Sequence, residues 1–109
     1  MAVVRVATSR ISDWDSFHDV FADALRFPAY YGRNRDAFVD LLHYPDAPDV
    51  GVDVAIGEAL TLYLDEPGEV FAARCPEQYA FLVDALGTAN AAGVDRGKWV
   101  TLAFAFPPA

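Results

Sequence analysis

Asp36, Asp40 and His43 are spaced by four and three residues, the interval that brings side chains onto one face of a helix. Two carboxylates so placed could divide general acid and base roles if burial drove their proton affinities apart. Successive turns of an exposed helix offer little such burial, and catalysis also needs a pocket that excludes water. The same three side chains could approach a metal ion together, but their spacing matches no metal signature. The sequence has no glycine-rich phosphate loop, serine nucleophile elbow or paired-cysteine motif. Cys75, the one cysteine, lies between Arg74 and Pro76 and reads as a buried structural thiol. His18 reads as a surface or boundary histidine, not a ligand.

Residues 27–42 concentrate the more informative chemistry. Two adjacent tyrosines, Tyr30 and Tyr31, precede Gly32, then Asn34, then Asp36 and Asp40 one helical turn apart. Tyrosines offer large contact area at low entropy cost, and a helix fixes carboxylates in space, so the segment forms an aromatic and anionic knob suited to a basic cleft. The plainer alternative is that one tyrosine packs in the core, Gly32 serves a turn and the aspartates are a solvated face.

The flanking sequence must position this knob. Residues 3–7 are valine-rich and read as a strand buried on both faces or nearly so. Ser12 is placed to cap a helix whose apolar stripe is Trp14, Phe17, Phe21, Ala24 and Leu25, stopped at Phe27-Pro28. Asn34 caps a second helix to about Leu42, with Ala37, Phe38, Leu41 and Leu42 inward. Residues 44–57 read as a long loop, with 50–56 pairing as a minor strand. A core strand over 60–64 follows, then a short helical piece over 69–74. A helix opened by Pro76 comes next, with Tyr79, Leu82, Val83, Leu86 and Ala89 inward and Gly93 as its C-terminal cap, and a last strand spans 99–106. Strands separated by helices need crossovers, so the expected fold class is α/β: a small three-stranded parallel sheet covered by helices.

A chain of 109 residues fits a single domain, 1–109, with core enough to need no metal or disulfide. Sixteen acidic against eight basic residues give a formal charge of -8, which disfavours direct nucleic-acid binding and favours basic partners. The N-terminal apolar run is broken by Arg5 and does not read as a signal peptide, and no stretch reaches membrane-spanning length. A lone thiol fits a reducing, cytoplasmic setting.

The run Pro28-Ala29-Tyr30-Tyr31-Gly32-Arg33-Asn34-Arg35-Asp36-Ala37-Phe38-Val39-Asp40-Leu41-Leu42 resembles the barstar family. There a Pro-x-Tyr-Tyr-Gly-x-Asn-x-Asp-Ala-hydrophobic-x-Asp-hydrophobic-Leu segment links the first two helices. The order of elements resembles that family over most of the chain. The resemblance implies a non-catalytic, cofactor-free inhibitor that binds a small secreted guanyl-specific microbial ribonuclease, barnase-like or related, one to one. It implies that Asp40 enters the enzyme's phosphate site, Asp36 makes a second acidic contact, Asn34 a polar one, and Tyr30 packs on the catalytic histidine, while Tyr31 faces inward. Gly32, Arg35, Val39, His43 and Tyr44 complete the expected contact surface. Val39 stands where the family's founding member carries a tryptophan. Arg33 and Arg35 put positive charge beside the aspartates, and a late acidic patch falls near Thr88 and Ala92, neither acidic. The alternative is an immunity or adaptor module of the same fold whose partner is not a ribonuclease.

Overall fold

The computed structural model describes residues 2–108. Along the chain run β1 (Ala2–Val6), α1 (Trp14–Leu25), α2 (Arg35–His43), β2 (Ala59–Leu64), α3 (Gly68–Arg74), α4 (Pro76–Arg96) and β3 (Thr101–Ala105). The sheet is parallel in the order β1-β2-β3, with Val4 opposite Leu62 and Leu62 opposite Phe104. Both crossovers step one strand in the same direction, so crossovers of the usual right hand leave their helices on one face. The burial pattern agrees. Val6, Leu60, Leu62, Leu64 and Leu102 are buried, whereas Val3, Arg5 and Thr101 on the opposite face are exposed. The expectation that the first strand is buried on both faces is therefore corrected: β1 alternates because it is an edge strand with helices on one side only.

An aromatic cluster joins the helices that carry and support the acidic segment. Phe38 of α2 lies 5.1 Å from Phe17 and 5.3 Å from Phe21 of α1, and 5.6 Å from Phe81 of α4, between ring centroids. Phe17, Phe21 and Phe38 are fully buried. Three helices thus share one contact point, and α2 is held by its inner face.

Several boundaries differ from the sequence expectation. The cap of α1 is Asp13, not Ser12: its carboxylate accepts from Ser16 N at 2.8 Å while Ser16 Oγ accepts from Asp13 N at 3.0 Å, a reciprocal box that satisfies two free donors. Residues 50–56 form no strand. Val50 and Val54 are buried, so the alternating valines anchor a loop instead of pairing a ladder. Val83, placed on the inner stripe of α4, is exposed, and Ala85 is buried in its stead.

Helix α4 passes through Gly93 and ends at Gly97, which adopts the left-handed conformation at φ 77°. Gly93 has another task. A Cβ there would lie 2.2 Å from Trp99 Cβ, so only glycine lets the chain entering β3 cross the helix this closely. Gly87, in the same helix, has open space where a Cβ would go. Gly93→Ala is therefore expected to lower stability by about 1–3 kcal/mol through overpacking, and Gly87→Ala to raise it by roughly 0.5–1 kcal/mol through backbone entropy. Urea unfolding of the two variants checks the opposite signs.

Candidate functional site

The acidic segment begins with a turn of unusual backbone. Tyr31 N donates to Pro28 O at 2.9 Å, and Arg33 then takes a left-handed conformation at φ 54° before Asn34 returns to extended geometry. The left-handed residue is Arg33, so Gly32 is not needed for positive φ. A Cβ on Gly32 would instead sit 3.1 Å from Asn34 Nδ2 and crowd the cap. Asn34 Oδ1 accepts from Ala37 N at 2.8 Å and Nδ2 donates to Gly32 O at 3.3 Å. Its Oδ1 starts α2, while the exposed Nδ2 keeps one N–H beyond its bond to Gly32.

The two tyrosines divide as the plainer reading and the family resemblance both required. Tyr31 is buried, its ring lies 4.8 Å from that of Phe27 at 54°, and its hydroxyl shares a hydrogen bond with His18 Nδ1 at 2.5 Å. Burial pushes the Tyr31 phenol well above its ordinary range and pushes the His18 imidazole below its own. The surface assignment of His18 is thus corrected: it is 4% exposed. Its position between Phe17 and Phe21, four residues after Trp14, put it on the apolar stripe all along. Tyr30 is 69% exposed, and its hydroxyl bonds the Asp49 carboxylate of the loop after α2.

On α2 itself, Asp36, Val39, Asp40 and His43 share one face. Asp36 and Asp40 are exposed, and among the described residues neither carboxylate has a hydrogen bond or ion pair. Val39 is half-buried against the core, forming an apolar shoulder. His43 Nδ1 meets Val39 O at 2.9 Å; since a carbonyl only accepts, that nitrogen carries a hydrogen. Tyr44 is exposed, with the Arg96 guanidinium 5.1 Å from its ring centre, and Arg96 also reaches His43 O at 3.5 Å.

The two arginines of the segment do not neutralise this face. Arg33 pairs with Asp19 at 2.5 Å and donates to Asp15 O at 3.2 Å, both on α1. Arg35 lies over Trp14 at 4.2 Å and within 6.0 Å of Phe81. Of the expected contact residues, Arg35 is therefore turned toward α1 and α4, and Val39 is partly committed to the core. Thr88 is exposed and Ala92 half-buried on α4. Asp49 and Arg96 went unnoticed in the sequence because only the fold brings them beside Tyr30 and Tyr44. Among the described residues no three His, Cys, Asp or Glu side chains gather closely enough to hold a metal ion, so Asp36, Asp40 and His43 share a face without forming a ligand set. What the arrangement offers is a pair of uncompensated carboxylates on a rigid support, able to accept charge-assisted hydrogen bonds from cationic groups.

A family model described as barstar, barnase inhibitor, matches residues 1–105, which reach the last residue of β3. Comparison with curated proteins returns no match.

Burial of His18, with the Arg33 charge nearby, makes stability depend on pH. The folded-state pKa of His18 lies below 6.5, the ordinary value, so the unfolded chain takes up the proton first as the pH falls. The contribution is present in full above about pH 6.5 and is lost as the pH drops through the lower folded-state value. The urea midpoint is expected to fall between pH 7 and the acid side of this window, and the fall to be absent in His18→Leu. Asp13 and Asp65, whose carboxyls are held below the ordinary range by bonds from Ser16 and from Ser9 and Thr8, act only in more acid solution.

Proposed function

The chain belongs to the barstar family, and from that premise we propose that it inhibits a secreted guanyl-specific microbial ribonuclease, of the barnase type or related to it. One inhibitor would occupy one enzyme, with α2 and the tyrosine turn in the active site. The observation that carries this reading is the uncompensated pair Asp36 and Asp40, exposed while both neighbouring arginines are engaged elsewhere.

A ribonuclease must present cationic groups to the phosphate of RNA. Asp40 replaces that phosphate with a carboxylate that cannot be cleaved, and bonds the same cationic groups. Asp36, one turn earlier, meets a second basic group at the cleft wall. Tyr30 packs on the catalytic histidine, and its bond to Asp49 fixes the ring before binding, which reduces the entropy lost in the complex. Val39 supplies apolar contact, and His43 and Tyr44 extend the surface beyond the helix end. Asn34 sets the start of α2 through Oδ1, and its exposed amide has a further N–H for a polar contact with the enzyme. The formal charge of -8 steers the chain toward a basic enzyme and away from RNA.

This role places the protein in the cytoplasm of the cell that makes the enzyme. Two observations are compatible with that: Cys75 is a buried free thiol whose Sγ–H donates to Ile11 O at 3.4 Å, and among the described residues no helix is long and apolar enough to cross a membrane.

Titration into a set of guanyl-specific microbial ribonucleases, following RNA cleavage, tests the proposal; stoichiometric inhibition of at least one is expected. Failure against all of them would instead favour an immunity or adaptor role toward another partner. Asp40→Ala is expected to weaken binding by about 2–5 kcal/mol, the usual effect of removing one partner of a buried charge pair, a range to which barnase–barstar itself contributes. Unchanged affinity would move the centre of binding off α2. Association should also slow as salt is raised from about 0.01 to 0.15 M, because screening shortens the range of steering; stopped-flow mixing measures it.

A further inference from the structure

The two outer edges of the sheet are treated differently. On β3, Thr101 N donates to Glu58 O at 3.0 Å, which sets Thr101, Ala103 and Ala105 toward β2 and turns the backbone of Leu102 outward. Asn90 of α4 closes that outward site: its Nδ2 donates to Leu102 O at 3.0 Å and its Oδ1 accepts from Leu102 N at 2.9 Å. One amide side chain thus takes the place of a fourth strand.

No such group covers β1. Asp65 N donates to Val6 O at 3.1 Å, so Val6, Val4 and Ala2 face β2, and Val3 and Arg5 turn their N–H and C=O groups outward. Both residues are exposed, and among the described residues nothing bonds those groups. A groove of about 730 Å3 runs along this edge, walled by Ala24 and Arg26 at the end of α1 and by residues 51–53 of the loop. An unpaired edge beside a groove is the geometry into which an extended peptide adds as a further strand.

The lining also indicates what the peptide carries. Arg5 and Arg26 both line the groove and neither has an ion pair among the described residues, while Asp53 is its one acid. In a chain of net charge -8 this is a local cationic site. Arg5 stacks over Tyr63 at 5.2 Å on the open face of the sheet, which leaves the rim of its guanidinium free for a carboxylate on a neighbouring strand.

We propose that the outer edge of β1 is a strand-addition site for an extended acidic segment of a partner protein, distinct from the face of α2. Backbone bonds to Val3 and Arg5 would hold the segment, carboxylates at alternate positions would lie on the open face with Arg5, and Arg26 would add its charge to the groove from the helix side. The test uses a hexapeptide in which valine alternates with glutamate, titrated into the protein and followed by amide NMR shifts. Saturable shifts confined to residues 2–6, 24–26 and 51–53 are expected. A peptide with lysine in place of glutamate should bind at least about tenfold more weakly. Arg5→Glu combined with Arg26→Glu should cost the acidic peptide a similar factor. Val3→Pro removes only an outward N–H and spares the ladder to β2, so it should abolish binding with α2 and β2 resonances unchanged. Absence of shifts along β1, equal binding of both peptides, or sedimentation showing that β1 pairs with a second copy of the chain would each overturn the proposal.

Discussion

Everything that α2 presents depends on Phe38 being clamped between three other rings. A nine-residue helix is too short to persist by itself in water, so its orientation must come from tertiary packing. Phe38 is fully buried against Phe17, Phe21 and Phe81. Asp36 and Asp40 lie two residues to either side of it, about 200° around the helix at 3.6 residues per turn. Fixing Phe38 inward therefore fixes both carboxylates outward. Leu42, also buried, sets the helix tilt from its other end. The acidic face is thus a consequence of core packing, and its rigidity is that of the core.

The face also carries an electrostatic conflict that the fold resolves. Two like charges one turn apart destabilise an isolated helix by a few tenths of a kcal/mol, and a left-handed non-glycine residue such as Arg33 adds roughly 1–2 kcal/mol. In a free peptide, Arg33 and Arg35 could relieve the repulsion by folding over the aspartates. Here Asp19 and the Asp15 carbonyl draw Arg33 onto α1, and the Trp14 ring takes Arg35. The left-handed turn at Arg33 is what aims its side chain backward. Backbone strain and uncompensated charge thus meet at the start of α2.

The elements were legible in the sequence wherever one periodicity decided them. The stripe of α1, the Asn34 cap, the strand at 60–64 and the parallel crossovers all follow from local pattern. The misreadings share a cause. Gly93 and Gly97 are chemically equivalent candidates for the end of α4, and only the position of Trp99 tells the packing glycine from the capping one. The valines at 50, 52 and 54 alternate like a strand, yet they pair with none, and Val50 and Val54 are buried as anchors of a loop instead. His18 was misjudged by residue type, although its spacing from Trp14 marked it as buried. For the site, the face of α2 could be read from spacing. The destinations of Arg33 and Arg35 could not, because Asp19, Trp14 and Phe81 reach them only through the tertiary fold.

The loop from α2 to β2 shows how order is obtained without secondary structure. It is tied at intervals: Asp49 bonds Tyr30, Gly51 N donates to Arg26 O at 3.0 Å, and Gly57 N donates to Trp99 O at 3.0 Å. Val50 and Val54 are buried between these ties. Each tie joins the loop to a different part of the chain, namely the tyrosine turn, the end of α1 and the approach to β3. A loop so held cannot move Asp49 without disturbing buried valines, and Asp49 in turn restrains the one tyrosine of the turn that faces solvent. The Arg26 tie needs glycine for a steric reason as well, since a Cβ at Gly51 would lie 2.5 Å from Arg26 Cβ. The long loop, read from the sequence as carrying a minor strand over 50–56, therefore acts as a strut that restrains Tyr30 through Asp49.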